Sequence, residues 1–340
     1  MITIAVDAMG SDTYPKADVE GAVLAAKEFQ IKILLVGDEK VIKPELKKYN
    51  TGSLTIQIIH APEILSMDDK GMSLVLKARR PNSQNSMAIG IDLVKSGKAS
   101  AFITAGNTGA ASVSSYFRLG MIPGIDRPAL AAVFPTAKGS CIVLDVGANP
   151  DVKPNNLLQF AILGKTYAGK VRKVSNPTVG IISNGEEPGK GNQLVKDSYP
   201  LLSSSDMNFI GNVEGKEVLG GEVDVVVTDG FTGNVMLKTS EAVAKLLIDK
   251  IKESIKSGGI LANIGGLLIK KSMRNIKKLM DPSEEGAAPL LGVDGLVFIG
   301  HGRSDATAIK NAIRIAKQAI ESEFLETIQV TLQESLGQNE

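Results

Sequence analysis

Seven times along this chain an apolar, β-branched run stops at a glycine-rich polar loop: DAMGSD (7–12), AGNTGA (105–110), DVGANPD (145–151), SNGEEPGKGN (183–192), TDGFTGN (228–234), GVDG (292–295) and GHGRSD (300–305). The recurrence points to an open α/β sheet, in which the loops beyond the carboxyl ends of the strands bind ligands. Strand-like runs fall at 2–9, 31–37, 54–60, 101–105, 129–135, 141–146, 178–183, 224–228 and 296–299. Most are continuously apolar, the pattern of strands covered on both faces. Helical periodicity separates them at 17–29, 85–96, 156–167, 194–202, 234–257 and 305–326. That alternation predicts a three-layer α/β fold built on a doubly wound, mainly parallel sheet. No low-complexity linker or repeat period interrupts it, and only a weak boundary stands near 126–128. Residues 1–340 are therefore read as a single α/β domain with protruding basic amphipathic helices at 234–280.

The composition narrows the partners. A net charge of +1, no tryptophan and 4% aromatic residues give neither the basic excess nor the stacking platforms of a nucleic-acid binder. The one cysteine, Cys141, lies in the strand-like run SCIVLDVG and reads as a small inert hydrophobe, with no disulfide framework or metal-ligand spacing around it. This fits a reducing cytoplasm. The segment MITIAVDAMG has no basic stretch ahead of its apolar residues, and no run approaches the roughly 20 apolar residues of a spanning helix.

Backbone amides at a glycine-loop-to-helix junction suit anions, because the chain approaches closely and the helix dipole favours negative charge. Gly106-Asn107-Thr108-Gly109 has that setting, and it also reads as a tight turn that needs glycine for its dihedral angles. The loop around Lys190 is not a nucleotide P-loop: Gly185 and Lys190 are one residue too close, and Asn192 replaces the hydroxyl residue. GHGRSD lacks the third glycine of a dinucleotide fingerprint. With neither ATP nor NAD indicated, no cofactor or metal is expected. What remains is an ammonium, Lys190, and an imidazole and guanidinium, His301 and Arg303, groups that hold phosphate and polarise a carbonyl. His60 is left structural or peripheral. Of the carboxylates at strand ends, Asp145 is read as a cap, while Asp7 and Asp229 stay open between capping and ligand contact.

Between 238 and 278, ten Lys or Arg residues face three acids, and the apolar run 260–269 is followed at once by Lys270 and Lys271. Three explanations compete: a subunit interface, insertion of the apolar tip into an anionic membrane, or docking of an acidic protein partner.

Taken together, VDAMGSD (6–12), ITAGNTGA (103–110), IPGIDRPALAAVFPT (122–136), LDVGAN (144–149), KGNQLVKDSY (190–199), NFIGNVEG (208–215), DVVVTDGFTGNVMLKTSE (224–241) and GHGRSDATAIKNAI (300–313) resemble the bacterial phosphate acyltransferases of phospholipid synthesis. The resemblance implies a fold similar to phosphotransacetylases and the isocitrate dehydrogenase group. It also implies acyl transfer from acyl carrier protein to inorganic phosphate, a homodimer, and a cytoplasmic enzyme peripherally associated with the inner face of the cell membrane. A downstream glycerol-phosphate acyltransferase would be a further partner. Ser11, Tyr14, Ala88 and Pro188 depart from the family pattern. The catalytic candidates are Lys190, His301 and Asn107. The substrate-binding candidates are Asp7, Gly10, Gly106, Thr108, Gly109, Asn149, Asn184, Glu186, Asp229, Asn234, Gly302, Arg303 and Ser304. The candidates for membrane or carrier-protein contact are Leu261, Ile264, Leu267, Leu268, Lys270, Lys271 and Arg274. Phosphate is itself a nucleophile, so such an enzyme needs to position it and stabilise the tetrahedral oxyanion. Two rival readings are an NAD-linked decarboxylating dehydrogenase on a similar fold and a non-catalytic membrane-surface scaffold that binds acyl carrier protein.

Overall fold

Alternating burial explains why the strands read as continuous apolar runs. Ile4 and Val6 enter one hydrophobic core and Ala5 another; Ile33 and Leu35 part from Leu34 and Val36 in the same way. The computed structural model describes residues 1–337, without the side chains of Lys277 and residues 334–337. Its strands are β1 (Thr3–Asp7), β2 (Lys32–Gly37), β3 (Ile56–His60), β4 (Ala101–Thr104), β5 (Ala129–Thr136), β6 (Gly139–Leu144), β7 (Thr178–Ile182), β8 (Asn208–Val213), β9 (Val225–Val227), β10 (Ala288–Leu291) and β11 (Val297–Ile299). They form one continuous sheet in the order β3-β2-β1-β4-β11-β10-β5-β6-β9-β7-β8.

The helices between them are α1 (Lys16–Phe29), α2 (Glu39–Leu46), α3 (Gly71–Arg79), α4 (Ser86–Lys95), α5 (Thr108–Leu119), α6 (Pro154–Lys170), α7 (Gln193–Ser203), α8 (Gly215–Gly220), α9 (Gly230–Ser257), α10 (Gly259–Leu279), α11 (Ala306–Glu321) and α12 (Phe324–Gly337). One core draws on α1, α6, α11 and α12, the other on α4 and α5, which gives the expected three layers. The helix expected over 305–326 is two, because Glu323 takes a left-handed φ of 51° between α11 and α12. β8 and β10, and the helices α2, α3 and α8, lie outside the runs expected from the sequence.

The strand directions decide where the loops go. β1, β2, β3, β4 and β11 are mutually parallel, as are β6, β9, β7 and β8. Between the two blocks β10 runs antiparallel to β11 and to β5, and β5 antiparallel to β6. The β5–β6 connection is only Ala137 and Lys138, too short for anything but a hairpin. The blocks therefore run in opposite directions. Loops after β1, β4 and β11 leave one end of the sheet, and loops after β6, β7 and β9 leave the other.

Helix α9 joins the two ends. Asp229 caps it, accepting the Thr232 N–H and hydroxyl, both at 2.8 Å. Gly230 and Gly233 let it press on the end of β6: a Cβ on Gly230 would stand 2.5 Å from the Asn149 carbonyl oxygen, and one on Gly233 would overlap that of Asp145. From there the helix runs to a turn at Gly258 and Gly259, and α10 returns against it, with Gly266 packed on Ile255.

Candidate active site

At the first end of the sheet, the loops after β1, β4 and β11 interlock. Gly10 sits so close to the second loop that a Cβ would lie 2.9 Å from both the Gly106 nitrogen and the Thr104 hydroxyl. The Asp12 N–H donates to the Gly302 carbonyl at 2.7 Å, and the Gly300 N–H to that of Thr104 at 2.8 Å. Beneath them lies Asp7, 1% exposed, which accepts the Thr104 hydroxyl at 2.7 Å and the Met9 N–H at 3.1 Å. Burial holds its carboxyl above the usual range despite those bonds. Asp7 thus braces the loop junction from below.

Ser11, one of the departures from the family pattern, adds a buried contact. Its hydroxyl donates to Asp18 at 2.7 Å, and the other carboxylate oxygen of Asp18 is buried without a partner. Burial, aided by nearby Asp7, pushes the Asp18 carboxyl up to about 7. The folded chain therefore holds a proton there that the unfolded chain releases near pH 4, and folding loses stability as pH rises from about 4 to 7. Replacing Asp18 by Asn is expected to raise unfolding free energy by up to about 4 kcal/mol at pH 8 but only about 1.5 kcal/mol at pH 5. Urea unfolding at the two pH values checks this. An equal gain at both would show that Asp18 stays ionised.

These loops and the segment leading into α3 enclose an open cleft of about 470 Å3 lined by Met67, Asp69, Lys70, Gly71, Leu74, Gly106, Asn107, Thr108, Gly109, Gly300, His301 and Gly302. Asn107 caps α5, its Oδ1 accepting the Ala110 N–H at 3.0 Å. Its Nδ2 donates to the carbonyls of Ser66, Met67 and Asp69 at 3.0 to 3.3 Å. With its amide so engaged, Asn107 holds the cleft wall, and the geometry favours that role over direct carbonyl polarisation. His301 is half-buried across the cleft; its Nε2 lies 3.5 Å from Glu241 on α9. Burial, then the Lys238 charge, draws its pKa below the ordinary imidazole value, while Glu241 opposes them. Arg303 is exposed with its guanidinium 3.5 Å from the same carboxylate, and Ser304 is buried behind it.

At the opposite end lie the remaining candidates. Five N–H donors converge on the buried carboxylate of Asp145, from Leu130, Gly147, Ala148 and both the backbone and side chain of Asn149. Burial still leaves its carboxyl above the usual range. Asn149 also donates to the Pro128 carbonyl at 2.6 Å, so its amide hydrogens lock the loop. Asp229 caps α9, the capping alternative of the two left open. Asn184 accepts the Gly191 N–H within its own loop. Lys190 is exposed on that loop, and Glu186 is tied to Lys216 at 2.7 Å. Glu186, Glu214 and Glu217 form the one carboxylate group of metal-ligand spacing among the described residues, and the Lys216 ammonium stands within 3.3 Å of all three.

The two ends meet along α9. Asn234, Lys238 and Glu241, at i, i+4 and i+7, share one face of the helix. Asn234 adjoins Gly147 at one end and Glu241 reaches His301 and Arg303 at the other, about 10 Å along the axis. Lys190, on the loop after β7, and His301, on the loop after β11, belong to the two opposite loop groups. Lys238 and Glu241 belong to the basic helix expected from the sequence. Their three-residue spacing beside Asn234 was the available signal.

The fold is similar to that of solved phosphotransacetylases. Similar structures are a phosphotransacetylase from Streptococcus pyogenes (TM-score 0.60, 16% identity, 94% of each chain) and the EutD phosphotransacetylase from Staphylococcus aureus (TM-score 0.57, 15% identity, 93% of this chain and 94% of that one). At these identities the likeness concerns the fold, which a 4-hydroxythreonine-4-phosphate dehydrogenase from Salmonella typhimurium shares at TM-score 0.53 and 14% identity. Sequence carries the assignment further. Residues 2–327 match the family described as fatty acid synthesis protein. A phosphate acyltransferase of Acidobacterium capsulatum is 48% identical over 93% of this chain and 92% of its own, and one of Geotalea daltonii 49% over 93% and 90%. The chain belongs to this fatty acid synthesis family, with the phosphate acyltransferases, and is an acyltransferase enzyme.

Proposed function

We propose that the enzyme transfers a long-chain fatty acyl group from acyl carrier protein to inorganic phosphate, giving acyl-phosphate for glycerophospholipid synthesis. The observation that carries this reading is the cleft in which glycine-loop amides at the start of α5 face His301, with Arg303 on the same loop. A phosphate oxygen attacks the thioester carbonyl, a C–O bond forms, and the tetrahedral intermediate collapses with loss of the C–S bond. The carrier thiolate then takes up a proton. The amide and hydroxyl of Thr108 and the amide of Gly109, with Arg303, hold the phosphate; the His301 imidazole polarises the carbonyl, or takes the proton that the attacking phosphate gives up and passes it to the departing sulfur. Lys190, in the other loop group, neutralises charge on the phosphate or on the intermediate.

The α9–α10 hairpin supports the partner reading. Ile260, Leu261, Leu267 and Leu268 are each at least 70% exposed, with Ile264 half-exposed between them and Lys270, Lys271 and Arg274 beyond. No helix among the described residues is long and apolar enough to cross a membrane. The hairpin tip inserts into the surface of an anionic membrane, which holds the enzyme at the inner face of the cell membrane. Lower on α9, the exposed Val243, Leu246, Leu247 and Ile251 suit a homodimer contact. Delivery of acyl-phosphate to a glycerol-phosphate acyltransferase follows from both.

The test is release of free thiol from acyl carrier protein charged with a fatty acid. Release that depends on added phosphate, with matching acyl-phosphate, is expected. Binding of the carrier with no phosphate-dependent release would replace the enzyme reading with the scaffold.

A further inference from the structure

Two cations, Lys238 and Arg303, and the His301 imidazole gather at the far end of the α9 face, and one carboxylate serves them all. Glu241 Oε1 lies 3.5 Å from His301 Nε2, and Oε2 lies 3.5 Å from the Arg303 guanidinium and 3.2 Å from the Lys238 ammonium. Glu241 is 19% exposed at its side chain, so its field is screened less than that of a surface acid. Lys238 is only one turn away on its own helix, but His301 and Arg303 come from the loop after β11, about 60 residues on.

We propose that Glu241 is a positioning residue for acyl transfer: it fixes the His301–Arg303 loop to α9 and tempers the positive charge that faces the phosphate. This rests on the function proposed above. Without the carboxylate, Lys238 and Arg303 would both repel a proton from His301, and a dianion would meet the two cations unopposed. Substrate and product would then be held more tightly while His301 lost its orientation. The other charged groups around the cleft and this loop are Asp12 from the loop after β1, whose side chain adjoins Gly302, Asp69 and Lys70 from the segment before α3, and Asp305 on the His301 loop itself. Asp69 is paired with Lys77, and Asp305 caps α11 through the Ala308 N–H, so neither replaces Glu241.

The chain has two histidines, His60 and His301, so a proton-detected NMR titration of the imidazoles reads the site without turnover and carries its own control. In a folded Glu241→Gln enzyme the His301 midpoint is expected to fall by about half a unit to one unit, with His60 unmoved. The KM for phosphate should fall roughly threefold and kcat roughly tenfold, and the acid limb of the pH–rate profile should move with the midpoint. Glu241→Asp should restore part of the midpoint, because it keeps the charge on a shorter stem. An unmoved His301 midpoint would overturn the proposal, as would a moved midpoint with kcat and the phosphate KM unchanged. Failure of the parent reading looks different: wild-type enzyme would then show no phosphate-dependent thiol release at all.

Discussion

Replacing His301 by alanine is expected to lower acyl-phosphate formation roughly 10²- to 10³-fold in an enzyme that still unfolds at the wild-type temperature. The imidazole lines the cleft opposite the start of α5, and it is held mainly uncharged by burial and by Lys238. A neutral imidazole donates one N–H to a developing oxyanion without repelling the loop amides. Lys190→Ala is expected to lose a comparable factor, for another reason: it removes a flexible cation from the loop after β7, leaving β6 and α9 unaltered. The two side chains come from loop groups at opposite ends of the sheet, so measuring both asks whether the groups serve one reaction. If they do, each single variant is impaired, and the double variant loses less than the product of the two losses. If His301→Ala alone is impaired, the chemistry is confined to the cleft and Lys190 has another role. Near-normal turnover in both would remove both from the catalytic set.

That division could not be read from the chain as a string. The glycine-ended strands marked the loops correctly, because strands buried on both faces leave long apolar runs and their ends show sharply. Their directions were partly legible: the connection between Thr136 and Gly139 is short enough to require a hairpin, and this reverses the sheet. β10 was harder, because Ala288–Leu291 follows a long helical excursion and is only four residues of ordinary apolar sequence. The individual candidates divide on a physical line. Asp229, whose partners are local, behaves as a turn residue should, and its cap could be anticipated from Asp-Gly alone, whereas Asp145 caps no helix and binds, besides its own loop, the Leu130 N–H from β5. Asn107 shows the opposite case. Its amide bonds the 66–69 segment some 40 positions away, and no local pattern announces such a contact. Glu241 is of the same kind: the helix periodicity placed it beside Lys238, but only the fold places it beside His301.

Replacing both Leu267 and Leu268 by glutamate is expected to release the enzyme from anionic vesicles, weakening binding by at least about 100-fold, with thiol release in solution retained. Both side chains protrude at the hairpin, 70% and 81% exposed, and neither contributes to the two buried cores, so the substitutions leave the fold intact. Burying a leucine in an apolar medium contributes about 1.5–3 kcal/mol, so losing two of them is already worth two to four orders of magnitude in affinity. The introduced carboxylates add repulsion from the anionic surface. The basic residues contribute separately, about 1 kcal/mol each near such a surface, and that contribution weakens with added salt. The salt dependence separates the contributions: the wild type should retain part of its binding at high ionic strength through the leucines, whereas a Lys270→Glu, Lys271→Glu variant should keep the apolar contact and lose the salt-sensitive part. Vesicle binding unchanged by the leucine substitutions would rule out insertion. A simultaneous change from dimer to monomer would assign those leucines to contact with a second copy of the chain, because a hairpin tip buried between subunits has no apolar surface left to offer a membrane.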